Sequence, residues 1–158
     1  MSSVAHPPRN GPHQGARTHG LSREFVDQLG AGMREIVALI VGADMRVTVE
    51  ERRLAVEIVS VFAPGYTEET LRGDLGRSAN APLEQRLAYL GRCLNLTGKE
   101  WLLSNCTAVM MADGHADERE RTAVKVVGQA LGMSPKHVGE VMSAAEQAAA
   151  TPVGADAA

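Results

Sequence analysis

Aromatic side chains make up only 3% of this 158-residue chain. That is too few for the cross-strand aromatic pairing of a β-sandwich, and it leaves Leu, Val, Ala and Met to build a core by close helix packing. Cysteine is equally scarce. Cys93 and Cys106 fall within apolar helical patterns, without Cys-x-x-Cys or His-rich spacing, and read as small core hydrophobes. No apolar run is longer than Ile36 to Val41, far short of the about 20 residues a membrane span needs, and the N-terminus lacks the apolar stretch of a secretion signal. The reading is a cytoplasmic protein. Nor is one sign of charge in large excess: a net charge of -3 with 22% charged residues gives no basic field for nucleic acid and no polyacidic tract. A phosphate-cradling glycine loop, a nucleophile elbow and a metalloprotease histidine pair are also missing, so enzyme chemistry is not expected.

What is present is a repeated acidic turn between helical patterns. In Ala112-Asp113-Gly114-His115-Ala116-Asp117-Glu118-Arg119-Glu120, Gly114 supplies the left-handed residue that ends a helix. Asp117 with Glu120 then forms a capping box that opens the next helix. A shift of 69 positions places Ala43-Asp44 on Ala112-Asp113, Thr48 on Asp117 and Glu51 on Glu120. The apolar faces recur at the same shift: Leu54, Ala55, Ile58, Val61 and Phe62 land on Ala123, Val124, Val127, Ala130 and Leu131, each set spaced as one side of an α-helix. Two helical hairpins of one design are therefore expected.

These two Ala-Asp-x3-[Thr/Asp]-x2-Glu turns, with Leu131-Gly132-Met133-Ser134 after the second, resemble the TerB-like domains, a family named for a tellurite-resistance protein. The resemblance covers about residues 21–147. The first turn departs from the family pattern, with Met45 where Gly is usual. The resemblance implies an all-α single domain and a cytoplasmic module of bacterial stress response. Such a module is associated with tellurite resistance and works with partner proteins, and with a divalent cation, near a membrane complex at the inner membrane.

In chain order, residues 1–20 hold Pro, Gly and the histidines His6, His13 and His19 without apolar periodicity and read as a disordered tail. Seven helices and no strands are expected between 21 and 147. Ser22 caps the first, Thr48 the second, Thr67 the third and Asn80 the fourth. Thr97 with Glu100 forms a capping box for the fifth, Asp117 opens the sixth, and Ser134-Pro135 opens the seventh. Trp101 is expected as a core anchor, and residues 148–158 as a second disordered tail.

If the hairpins pack about a pseudo-twofold axis, their turns pool Asp44, Glu51, Asp113, Asp117 and Glu120. Calcium wants about six to eight oxygens, which one turn does not supply and two turns with water can. The same carboxylates also serve as helix caps alone, or as an acidic docking face, and all three readings stand at this point. His115 reads as an exposed turn residue. A surface organised on carboxylates repels tellurite, itself an anion, so any effect on tellurite is indirect. A rival lies at residues 128–142, whose turn glycine and buried valines fit a helix-turn-helix DNA-binding regulator. Its second helix offers only Lys136 and His137 before Glu140, few groups for bases or phosphates.

Overall fold

The first helix begins where the sequence says a cap should be. Ser22 is extended and its hydroxyl accepts from the Phe25 amide at 3.1 Å, satisfying one of the orphan N–H groups of a helix start. α1 (Arg23–Val41) then buries Phe25, Leu29, Met33, Ile36, Val37 and Ile40 along one stripe. The structure, a computed structural model, describes residues 22–43, 46–77 and 82–150. The tail histidines, Asp44 and the Asn80 cap lie outside the described residues.

α2 (Val49–Ser60) opens on the Thr48–Glu51 capping box, α3 (Glu68–Leu75) on Thr67, and α6 (Glu118–Ala130) on the Asp117–Glu120 box. α4 (Pro82–Cys93) and α7 (Pro135–Ala150) each start on a proline, whose missing N–H would be unsatisfied there in any case. All seven elements are α-helices, and no strand occurs among the described residues.

Four sequence expectations need correction. α5 (Leu96–Met110) is capped by Asn95, whose Oδ1 accepts from the Gly98 amide at 2.8 Å. Thr97 lies inside the first turn and Glu100 turns elsewhere, because Asn is at least as good a cap as Thr and comes two positions sooner. Cys93 is exposed on α4 while Cys106 is buried on α5, so only the second is a core residue. Burial pushes the Cys106 thiol up to about 12, which leaves it protonated and unreactive. Trp101 is 46% exposed and meets Phe62 edge to face, ring centroids 5.2 Å apart. Val61 is exposed as well: α2 buries the line Glu51, Ala55 and Val59, and Val61, still αR in backbone, lies about 200° round the helix from Val59.

α1 and α5 touch each other at the centre. α2 packs on α1 and α5, and α6 packs on α5 and α1. α3 lies on α1 and α2, and α7 on α5 and α6. The contacts of α1, α2 and α3 are thus matched by those of α5, α6 and α7, while α4 lies across α1 and α6. Matched residues are buried alike: Ala55 with Val124 and Leu71 with Val138. Gly65 and Gly132 take the same positive φ, 89° and 90°.

Candidate functional site

The second acidic turn is held by its own side chains. Gly114, at φ 81°, donates to the Met111 carbonyl at 3.0 Å, and the His115 amide donates to Asp113 Oδ1 at 2.9 Å. Asp117 Oδ1 accepts from the Arg119 amide at 2.7 Å, and Glu120 Oε2 accepts from the Asp117 amide at 3.1 Å. At the first turn the Glu51 amide donates to Thr48 Oγ1 at 3.2 Å, and the Thr48 amide donates to Glu51 Oε2 at 3.1 Å.

Both reciprocal glutamates are buried, each 1% exposed. A buried carboxylate is stable only when hydrogen-bonded or charge-compensated, and here a backbone N–H supplies one such bond. Glu51 and Glu120 therefore point into the fold at the roots of α2 and α6. Asp117 is exposed, Asp113 is half-buried, and His115 is exposed. Among the described residues no group of three or more His, Cys, Asp or Glu side chains is gathered so as to hold a metal ion. The five carboxylates named from the sequence thus divide into two buried helix roots, two residues of the second turn, and Asp44 outside the described residues.

The two turns nevertheless border one feature. A groove of about 1230 Å³ runs along the C-terminal half of α1, walled by the end of α3, the start of α4 and the start of α6. Gly42 and Ala43, which enter the first turn, lie at one edge, and Glu118 and Arg119, which leave the second, lie at another. The floor is apolar, with Ala38, Leu39, Leu75 and Leu83.

Two ion pairs fix the walls. Arg34 holds Asp74 in a two-pronged bond of 2.9 and 3.0 Å, tying α3 to α1. Arg86 holds Glu35 at 2.9 and 3.1 Å and also reaches Gln28, tying α4 to α1. The fork geometry of guanidinium on carboxylate gives each wall a defined orientation. Arg34 also lies over the Tyr66 ring at 5.6 Å, and its pKa is raised, first by the bond to Asp74. Sequence reasoning missed this groove, since its walls come from four separated segments and no local motif marks it.

The stretch read as a possible DNA-binding hairpin forms the α6–α7 corner. Val138 and Met142 are buried, Lys136 is exposed, and His137 Nε2 lies 2.8 Å from Glu100 Oε1 on α5. Among the described residues no helix is long and apolar enough to cross a membrane. The chain matches no family model, no curated protein and no solved structure.

Proposed function

We propose that this chain is a TerB-like, non-catalytic docking module built from two related helical units, and that it serves a tellurite-type stress response by binding a partner protein. The observation that carries the reading is the groove shared by the two turns: residues entering the first and residues leaving the second line one apolar-floored cleft. An open cleft with an apolar floor and a charged rim is the form a protein-binding site takes, with burial supplying affinity and the rim supplying specificity. Asp113, Asp117 and Glu118 give the second turn an acidic character, which suits a basic partner and repels a tellurite anion. A divalent cation held by carboxylates of the second turn, Asp113 and Asp117, is the finer version of the same reading.

The helix-turn-helix alternative gains little from the geometry. Around His137 the α7 start faces Glu100 and Glu140, and two carboxylates beside a phosphate backbone oppose binding.

Leu39→Asp places a charge on the half-buried groove floor. In a strain deleted for this chain's gene, the wild-type copy should restore tellurite tolerance, and the Leu39→Asp copy should not, although its circular dichroism and melting remain close to wild type. Equal rescue by both copies removes the groove from the function. Deletion without any tellurite phenotype removes the assigned response. Melting in the presence of Ca²⁺, Mg²⁺, Mn²⁺ or Zn²⁺ addresses the cation, since a ligand of the folded state alone raises the midpoint. A rise that Asp113→Asn abolishes supports it, and no rise with any ion ends it.

A further inference from the structure

α7 is fastened to α5 at its first turn by a histidine set between two carboxylates. The His137 amide donates to Ser134 Oγ at 3.2 Å, which places the residue in the capped start of the helix. Its ring nitrogens face opposite ways. Nε2 lies 2.8 Å from Glu100 Oε1 on α5, and Nδ1 lies 3.5 Å from Glu140 Oε2, one turn further along α7. Immediately after it, Val138 is buried against Gly128 of α6 and near Leu103 of α5.

We propose that His137, Glu100 and Glu140 form a proton-operated latch that holds the start of α7 on α5 when the imidazole is charged and loosens it when the imidazole is neutral. The inference is independent of what the groove binds. The chemistry follows from the donor count. An imidazolium carries an N–H on each nitrogen and can donate to both glutamates; a neutral ring has one N–H and one lone pair. Loss of the proton to water leaves the one remaining N–H for the nearer oxygen, that of Glu100, as an uncharged and weaker donor across the α5–α7 contact, and turns the Nδ1 lone pair on Glu140, which is repulsive.

The surrounding charges bear on this in both directions. A cation near the positive end of a helix is unfavourable, and Lys136 precedes His137 in the chain as Lys99 precedes Glu100. α6 brings Gly128 against Val138 and Arg121 against Glu146, with Lys125 exposed between them. Against these, the hydrogen bond to Glu100, and then Glu140, raise the His137 pKa above its ordinary 6.5. The two carboxylates prevail. A folded-state pKa above the unfolded value gives a contribution that is complete below about pH 6.5 and is lost as pH rises through the raised value.

Proton NMR of the imidazole and amide hydrogen exchange test the latch in the intact chain. His137 should titrate above its ordinary value. Glu100→Gln should lower that midpoint more than Glu140→Gln, and both variants keep the size of the side chain they replace. Once intrinsic exchange rates are corrected for, the amides of residues 137–141 should lose protection several-fold between pH 6 and pH 8. In His137→Gln the protection should not depend on pH. A His137 midpoint at or below 6.5 overturns the latch, and so does a pH-dependent loss of protection that persists in His137→Gln. Should His137→Gln melt poorly, Glu100→Gln serves in its place: a pH dependence there equal to wild type is equally fatal.

Discussion

Unit one (α1, α2, α3) and unit two (α5, α6, α7) share capping glutamates, buried positions and a contact scheme, but they differ on the outer ridge of their central helix. On α1 that ridge carries Gly32, and α4 lies over it so closely that a Cβ there would sit 2.9 Å from Leu90 Cδ1 and 3.3 Å from Arg86 Cδ. The matching position on α5 is Trp101, which no helix covers among the described residues and which leans on Phe62 instead. The same architecture therefore admits two solutions to one exposed ridge. One unit removes the side chain and lays a helix across it; the other keeps a large side chain that shields the ridge itself. Among the described residues one helix, α4, lies outside the matched set, and the small residue is on the side where that helix lies.

Exchanging the two residues breaks this difference most severely. Gly32→Trp has no room for an indole beneath α4 and should destabilise by about 3 kcal/mol or more, the upper range of overpacking, read as a lower denaturant midpoint by circular dichroism. Gly32→Ala is the control. Its methyl presses on the end of the Leu90 side chain and on the middle of Arg86, whose guanidinium is anchored on Glu35, while Ala gains about 1 kcal/mol in a helix interior over Gly, so the two effects oppose each other and the net change should lie within about 1 kcal/mol of zero. The reverse exchange, Trp101→Gly, loses an edge-to-face contact of about 0.5–1.5 kcal/mol and about 1 kcal/mol of helix propensity. With the half of the indole that is buried, the total is about 2–3 kcal/mol. Trp101→Ala should fall about 1 kcal/mol short of that, and an unchanged midpoint would mean that the Phe62 contact contributes nothing in solution.

Sharpening the likeness instead of the difference calls for the caps. Glu51→Ala and Glu120→Ala each remove the carboxylate that closes a capping box and leave a buried gap. Each should lower stability by about 1–2 kcal/mol, and the two by similar amounts. Unequal losses in matched denaturant melts would mean that the two helix roots are not equivalent.

The caps and inward faces were legible in the sequence because they are local. Ser22, Thr48 with Glu51, Thr67, and Asp117 with Glu120 act within one turn, and helical spacing places Met33, Ile36, Ile40, Val124 and Val127 on faces that the structure buries. Trp101 was misjudged because size and hydrophobicity argue for burial, whereas its exposure depends on which side of the molecule α4 takes. The groove walls and the Glu100–His137 contact join residues far apart in the chain, so no spacing announces them. The match of α3 with α7 is hidden in the sequence for a different reason. Gly65 and Gly132 align only with a shift two residues shorter than the one that aligns the capping boxes, because the connection after α2 is longer than that after α6.

The smallest effect concerns the position just after those two glycines. Tyr66 and Met133 are both buried there, 5% and 6% exposed, but the Tyr66 hydroxyl finds no hydrogen-bond partner among the described residues. A buried hydroxyl without a partner is unfavourable, so Tyr66→Phe should be neutral or stabilising by up to about 1 kcal/mol, making unit one resemble unit two. Burial first, with Asp74 next, pushes the Tyr66 phenol up to about 12. The folded state therefore favours the neutral ring, and the stability this supplies is complete below about pH 10 and disappears as pH rises through about 12. Between those values wild type should lose stability that Tyr66→Phe retains, measured as diverging urea midpoints with ultraviolet absorbance following the phenolate. Parallel midpoints across that range would mean that the ring is solvated and that the likeness to Met133 is one of position only.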